Sequence, residues 1–364
     1  MKKVLCITLA FPQQRVVKTI DSLANNGYDV SLLTMNLDES KKDMFSYDNV
    51  EIINLNIKGI TKFLPIKHFL LKPKIRRLRK QKFDYIICRD IFTYDLGRFF
   101  SKNKRVIVDI ADNYPEVFSS FRDNKIIGSM LYNFFNIYEK LVVKSAYKII
   151  VVTANSKKLI MNKHKTNSEK IIDISNFPLK RDVLKNNNLN SKKSFNNRLV
   201  YIGTVDDKVR DLKNFMKSIK GSTYLLTIYT FNFEYTLKVV NQYDVAENVI
   251  VRKPVNRNNL TQELSFYDIG VIPHKLIEGT RYTIPNKLYD YVHAGLVVLS
   301  SNNQALAQEV NKLELGEIYS DSLKIIESLN SIEDNYEDLR KKVLKAKNSC
   351  FWDKDFNKLL EVLN

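Results

Sequence analysis

Cysteine, proline, glycine and tryptophan are all scarce in this 364-residue chain, which has 3 Cys, 8 Pro, 10 Gly and a single Trp. Cys6, Cys88 and Cys350 are odd in number, far apart and without a C-x-x-C pair or a nearby histidine cluster. That excludes a disulfide scaffold and a structural zinc and favours a reducing cytoplasm. The shortage of Gly and Pro excludes collagen-like and low-complexity chains, and 44% hydrophobic with 27% charged residues is the balance of a folded globular protein. No apolar run approaches the ~20 residues that span a bilayer. Residues 4–11 are apolar but run into Gln13-Gln14-Arg15 with no small-residue cleavage site, so a buried first strand is expected and not a signal peptide. A Walker loop and a G-x-S-x-G elbow are missing, and Pro12 and Gln13 stand where a dinucleotide-binding dehydrogenase has glycines. No helix-turn-helix, RNP or zinc pattern marks a nucleic-acid binder, and no nucleic-acid partner is expected.

Positive charge, by contrast, is abundant. The chain has 58 Lys+Arg against 40 Asp+Glu, a net +18. Such an excess attracts polyanions or anionic lipid surfaces, or it reflects the Lys- and Asn-rich usage of an AT-rich genome. Its densest stretch, residues 58–82, opens on Lys58 and closes on Lys82 and holds ten Lys/Arg, no Asp or Glu, and nine apolar residues between them. It reads as a patch for an anionic membrane surface, or as a solvated helix face with core contacts.

Short β-branched runs near residues 4–11, 30–34, 85–88, 106–110, 149–152 and 171–175 alternate with helical periodicity. That pattern predicts a parallel sheet covered on both faces. Residues 132–147 predict an amphipathic helix, with Phe134, Phe135, Tyr138, Leu141, Val142 and Ala146 turned to that sheet. After Asn176-Phe177-Pro178 the composition turns to Lys, Asn and Ser, and a second α/β series opens at Leu199-Val200-Tyr201-Ile202-Gly203. The expected organisation is a first domain over 1–179, a linker over 180–198, a second domain over 199–345 and a terminal helical segment over 346–364. Ligands of doubly wound sheets bind at the carboxyl ends of the strands, which turns attention to the loops there.

The sharpest of these segments is residues 283–298. Thr283 suits an N-cap, Pro285 a first turn and Gly295 a helix stop. Such a helix start offers unpaired N–H groups and a positive dipole end, to which Lys287 adds a full charge. Asp290 lies three residues on, where a carboxylate can accept from vicinal ribose hydroxyls. The pair reads as a nucleotide-diphosphate grip, or as a capped helix with an i,i+3 salt bridge. His274, following the apolar Val271-Ile272, faces the same end and could bond a phosphate or a base.

The run Pro285-Asn286-Lys287-Leu288-Tyr289-Asp290-Tyr291, with Gly295 and Val297-Val298 behind it, resembles the donor-nucleotide segment of GT-B glycosyltransferases, particularly the family 4-like enzymes of bacterial polysaccharide synthesis. Phe11 to Val16, Leu23 to Val30, Leu199 to Gly203, Asp268 to Pro273 and Phe351-Trp352-Asp353 are similar to further segments of that family in the same order. The resemblance spans nearly the whole chain. It implies an α/β GT-B fold, two Rossmann-like doubly wound domains facing a cleft, with the carboxyl-terminal helix returned to the first domain. It implies transfer of a sugar from a nucleotide-diphosphate donor to a polysaccharide or lipid-linked glycan precursor, with retention of configuration; no D-x-D follows a strand in the nucleotide-facing loops, so no metal is expected, and no cofactor. The place would be the cytoplasm, at the inner face of the cell membrane.

By the resemblance, donor contacts fall on Gly203, Thr204, Arg210, Tyr282, Pro285, Asn286, Lys287 and Asp290, with Lys208 as a neighbouring substitute for Arg210; His274 joins them by topology, and Glu278 and Arg281, in the loop of Tyr282, could compensate for the carboxylate that Tyr282 replaces or be solvated loop charges. Lys287 and Arg210 are expected on the leaving diphosphate. Asp112, in the loop resembling the acceptor side, is expected to position or deprotonate an acceptor hydroxyl or to contact the donor sugar, with Asp109 as a structural cap. The sequence departs from the family where the first of two acids eight residues apart falls on Tyr282, and where the usual arginine falls on Thr204. Those departures leave a second reading, a non-catalytic sugar-nucleotide sensor or scaffold. Asp353-Lys354-Asp355 has the letters of a metal-binding D-x-D but sits in the terminal helix and reads as surface.

Overall fold

The computed structural model describes residues 1–40, 47–57, 75, 78–101, 105–120, 124–184 and 194–364. The basic segment 58–82 therefore lies largely outside the described residues. Two compact units divide the chain: unit 1 is Met1–Asn176 with Trp352–Asn364, and unit 2 is Phe177–Phe351.

Unit 1 is built on β1 (Lys3–Thr8), β2 (Asp29–Thr34), β3 (Val50–Asn54), β4 (Tyr85–Arg89), β5 (Val106–Ile110), β6 (Lys148–Val151) and β7 (Ile171–Asp173), paired in the order β3-β2-β1-β4-β5-β6-β7. Every pairing is parallel. The runs of β1, β2 and β5 are almost wholly buried, as strands covered on both faces demand, while the edge strands β3 and β7 are only partly so. Helix α1 (Gln14–Asn25) lies beside the terminal helix Trp352–Leu363. The single tryptophan fixes that docking. Trp352 is buried, its Nε1 donates to Ser22 Oγ at 3.0 Å, and the Arg15 and Lys18 cations lie 5.2 and 4.5 Å from its ring.

Helix α2 (Lys125–Ser145) is longer than its sequence pattern indicated, because the Asn124 side chain caps its start through the N–H groups of Ile126 and Ile127. Only part of its expected core face turns inward. Phe135, Val142 and Ala146 are buried and Tyr138 half-buried, whereas Phe134 and Leu141 face outward. The helix is apolar on two opposite sides, so its periodicity alone did not select the buried one. Helix α3 (Ala154–His164) follows.

Unit 2 repeats the architecture with β8 (Arg198–Ile202), β9 (Leu225–Tyr229), β10 (Val249–Arg252), β11 (Ile269–Ile272), β12 (Val297–Ser301) and β13 (Gly316–Tyr319), in the parallel order β10-β9-β8-β11-β12-β13. The order reverses between β8 and β11, which makes their carboxyl ends the crevice of this sheet. Residues 180–184, expected in the linker, form the short helix α4 (Lys180–Leu184) and belong to unit 2. Three further helices carry the site: α5 (Leu260–Leu264), α6 (Lys287–Ala294) and α7 (Gln304–Lys312). Gly270 in β11 is required by packing, since a Cβ there would stand 2.3 Å from the ring of buried Tyr291. The hydroxyl of that tyrosine in turn accepts from the Ile202 N–H at 3.1 Å, fixing the end of β8.

Candidate functional site

The loops that leave β8 and β11 are tied to each other. Arg210 and His274 form an antiparallel bridge, flanked by Asp211 N–H to Pro273 O at 2.6 Å and Lys275 N–H to Val209 O at 2.8 Å. Asp206 shapes the first loop from within. Its carboxylate accepts from the N–H groups of Lys208 and Val209 at 3.0 and 2.7 Å and from Arg210 Nη1. Burial works against that charge, but the Val209 N–H and the Arg210 guanidinium hold the carboxyl below its usual range.

Helix α6 supplies the third group. It begins at Lys287, with Asn286 as the flanking residue and no side-chain cap. Thr283 is therefore not the N-cap. Residues 278–280 form a 3-10 turn, Thr283 N–H bonds back to Thr280 O, and Ile284 is buried, so the helix starts three residues later than the Thr-x-Pro pattern suggested. Gly295 ends the helix in the left-handed conformation, as expected.

Lys287 is 9% exposed, its ammonium has no hydrogen-bond partner, and Nζ lies 3.7 Å from the centroid of the Tyr201 ring. Burial drives it well below its ordinary value and the Arg210 charge adds to that, against a weaker pull from Asp290 and Asp206. Gly203, at φ +131, makes room for it, since a Cβ would stand 3.1 Å from Nζ. His274 is buried with both ring nitrogens unpartnered, and burial together with Lys287 and Arg210 pushes it down to about 3, leaving a neutral imidazole. Arg210 Nε is likewise buried and unpartnered. Lys287 Nζ, Arg210 Nε and the two His274 nitrogens thus lie near one another at the carboxyl ends of β8 and β11, buried and without a hydrogen-bond partner. Buried polar groups are nearly always paired, and an anion entering here would pair them.

Asp290 takes a different partner. Its Oδ1 accepts from Arg257 Nη2 at 2.8 Å, and no ion pair joins it to Lys287. The i,i+3 salt bridge left open by the sequence does not form. Asp290 and Arg257 border a cavity of about 250 Å³ with Asn258 and Thr261 of the α5 region, His293, and Asp182 and Val183 of α4. Glu278 and Arg281 line another cavity, of about 300 Å³, together with Asn302, Asn303 and Gln304. There they pair at 3.4 Å, while Arg281 Nε donates to Gln304 Oε1 at 2.7 Å and the guanidinium lies 5.5 Å from the Tyr282 ring. Thr204 and Lys208 are exposed on the β8 loop, Thr204 accepting through its carbonyl from the Tyr201 hydroxyl at 2.7 Å. Pro285 is half-buried and accepts from the Leu288 N–H at 3.0 Å.

Of the residues expected on one donor site, the structure brings Lys287, Arg210, His274 and Gly203 together and sets Glu278 and Arg281 around a separate cavity. Sequence reading missed Arg257 and Tyr201. Arg257 had only the weak signal of a cation ahead of a short helix, and Tyr201 read simply as strand.

In unit 1, Asp112 follows β5 and is exposed. The protein packed around its carboxyl raises it, as does the Asp109 charge, against the opposing Arg89. Asp109 lies deeper and is fully engaged, its two oxygens accepting from Arg15 Nε at 3.0 and 2.8 Å and one of them from Arg89 Nη1 at 3.3 Å.

No family model matches the chain, and no curated protein matches its sequence. Solved structures do match. They include a sucrose-phosphate synthase from Thermosynechococcus elongatus, with TM-score 0.73 and 14% identity over 100% of this chain and 99% of that one. WaaG, a glycosyltransferase involved in lipopolysaccharide biosynthesis, aligns with TM-score 0.71 and 14% identity over 99% of both chains. HepE of Anabaena in complex with UDP aligns with TM-score 0.68 and 11% identity over 100% of this chain and 99% of that one. At such identities the likeness is one of fold, and the chain has the GT-B fold.

Proposed function

We propose that the protein is a glycosyltransferase that moves a sugar from a nucleotide-diphosphate donor held by unit 2 to a polysaccharide or lipid-linked glycan precursor. The observation that carries this reading is the buried, unpartnered Lys287 ammonium beside Arg210 and His274 at the reversal point of a doubly wound sheet. A diphosphate supplies the acceptors that these groups lack, and its negative charge offsets the burial that depresses Lys287. The likeness of fold to glycosyltransferases, one of them bound to UDP, supports the same reading.

In the proposed reaction an acceptor hydroxyl attacks the anomeric carbon on the face from which the diphosphate leaves, so configuration is retained. The bond from that carbon to the phosphate oxygen breaks, and the hydroxyl proton passes to the departing phosphate. Lys287 and Arg210 neutralise the leaving group in place of a metal ion. Asp112 is proposed to orient the acceptor hydroxyl, and Asp290, steadied by Arg257, to accept from the ribose hydroxyls.

Calorimetry with UDP- and GDP-sugars is expected to show binding of one of them. Asp290→Asn should weaken that binding by about tenfold, because an amide is the poorer acceptor and leaves Arg257 unpaired. Binding of neither nucleotide sugar would sink the proposal. Binding without transfer or hydrolysis would make the protein a sensor of sugar nucleotides, the reading that Tyr282 and Thr204 leave open.

The proposed location is the inner face of the cell membrane, with residues 58–82 on anionic lipid. Neutralising Arg76, Arg77, Arg79 and Lys80 together is expected to weaken vesicle binding at low salt by roughly tenfold or more, at ~1 kcal/mol per cation near the headgroups. Turnover on a soluble acceptor should stay as it was, and unchanged vesicle binding would remove this role from the segment.

A further inference from the structure

In unit 1 the strand order reverses between β1 and β4, so the carboxyl ends of these two strands form the crevice of that sheet, as those of β8 and β11 do in unit 2. Asp90 is the first residue beyond β4, and its backbone stands at φ +68 and ψ 158. That region belongs almost wholly to glycine, and a residue with a side chain is strained there unless its surroundings fix it. Here they do. The Asp90 N–H donates to Asp109 O at 2.9 Å, and its carbonyl accepts from the Thr93 N–H at 3.3 Å and the Thr93 hydroxyl at 3.2 Å. A glycine would occupy the position without strain, yet the chain keeps a carboxylate.

That carboxylate is buried and only half engaged. Asp90 is 6% exposed, and the Tyr114 hydroxyl hydrogen-bonds to it. Its Oδ1 has no hydrogen-bond partner, although Arg89 Nη1 stands 3.5 Å away. Three more buried atoms of the segments that leave β1 and β4 share this condition: Gln13 Oε1, ahead of α1, Arg15 Nη2 and Arg89 Nε. The two arginines are drawn together by Asp109, to which both donate. Two acceptors and two donors are thus left over. Hydroxyl groups, each able to give and to take a hydrogen bond, can pair such a set. A phosphate offers acceptors only and would leave Asp90 and Gln13 as they are.

The charges point the same way. Arg15, Arg89 and Lys18 face the carboxyls of Asp90, Asp109 and Asp112, so cations and carboxyls balance and no positive excess awaits a phosphate. In unit 2, by contrast, Lys287 and Arg210 hold buried nitrogens without an acceptor.

We infer that the crevice of unit 1 takes the acceptor as a neutral sugar, one of whose hydroxyls donates to Asp90 Oδ1, and that Asp90 selects a glycan over a bare lipid phosphate. The reaction is the glycosyl transfer proposed above, on which this inference rests; the acceptor's contact and its chemistry are new. A place in a reaction sequence follows. A transferase that sets the first sugar on the carrier has to act earlier, and this protein extends the product.

The test uses the full chain with methyl glycosides of glucose, galactose and N-acetylglucosamine and, as the competing class, undecaprenyl phosphate. Saturation-transfer NMR is expected to show contact with at least one glycoside, and transfer from the nucleotide sugar that binds should go to it and not to the lipid phosphate. Asp90→Gly should raise the acceptor KM by about tenfold or more, the size of a lost hydrogen bond to a charged group. Asp90→Asn keeps an oxygen in place and should raise it less. The denaturation midpoint of Asp90→Gly, followed by Trp352 fluorescence, should not fall, because glycine takes this backbone without strain and Arg89 retains Asp109. Transfer to undecaprenyl phosphate alone, contact with none of the three glycosides, or a wild-type acceptor KM in the Asp90 variants overturns the inference. A lowered midpoint with an unmoved KM assigns Asp90 to the fold instead. Calorimetry with nucleotide sugars reports unit 2 separately: if none binds while Asp90→Gly abolishes the glycoside contact, the donor reading fails and the sugar contact of Asp90 stands.

Discussion

Lys287→Met is expected to cut glycosyl transfer by roughly a hundredfold to a thousandfold, and in the same protein to raise the stability of ligand-free unit 2 by about 1–3 kcal/mol. The two effects share one cause. Lys287 Nζ is buried without an acceptor above the Tyr201 ring, so in the empty protein its charged form is desolvated and disfavoured, and only when a diphosphate arrives does that form gain a partner. Methionine keeps most of the volume and discards the charge.

The pH dependence separates this from a packing effect. The folded value of Lys287 lies well below the ordinary 10.5, so the unfolded chain binds more protons and stability rises with pH through the interval between them. The methionine variant should lack that slope. His274, held near 3 by burial and the same cations, is neutral across the alkaline range and contributes nothing to it. Thermal unfolding followed by circular dichroism at pH 7 to 10, with and without a nucleoside diphosphate, reads both effects. Ligand should stabilise the wild type more than the variant. A well-folded Lys287→Met protein with wild-type turnover would remove Lys287 from the diphosphate.

What was legible in the sequence follows from how local each signal is. The alternation of β-branched runs with helical periods gave both sheets, because a parallel strand buried on both faces has to be apolar throughout. The stop at Gly295 was legible since a left-handed residue after a helix is a backbone requirement. The start of α6 was not, because the buried Ile284 and the 3-10 turn before it depend on tertiary packing. Lys287 was found through its place near a helix start, yet its burial over Tyr201 and the tie between the Arg210 and His274 loops are contacts across 60 residues or more of chain. Asp290 looked like a partner for Lys287 at i,i+3, but the partner it takes, Arg257, comes from a different helix of the fold. For α2 the pattern was visible and its meaning was not, since a helix apolar on both sides reads the same whichever side the sheet covers.

Asp109→Ala is expected to destabilise unit 1 by about 3–5 kcal/mol, the usual cost of leaving a buried charge without its partner. Asp109 holds two guanidinium groups at once. Arg15, 4% exposed, is bonded to both of its oxygens, and Arg89 reaches it at 3.3 Å. Burial opposes the charge of Asp109, but Arg15 and Arg89 win and keep its carboxyl below the ordinary 3.8. Its contribution is therefore present above that value and is lost as pH falls through the lower, folded one, so the variant should be insensitive to acid in a window where the wild type weakens.

Trp352, the only tryptophan, lies 5.2 Å from Arg15, and its fluorescence in a denaturant titration reports unit 1 directly. Replacing the pair by apolar residues, Arg15→Met with Asp109→Leu, should recover much of the loss, since the penalty comes from the uncompensated charges and not from the missing bond. A functional consequence follows from the same carboxylate. The Asp109 charge helps raise the carboxyl of Asp112, so in any Asp109 variant that still folds, the acid limb of the pH profile of transfer should move to lower pH if Asp112 is the group that meets the acceptor hydroxyl. An unmoved limb together with unaltered unit 1 stability would show that the network neither holds the fold nor tunes Asp112.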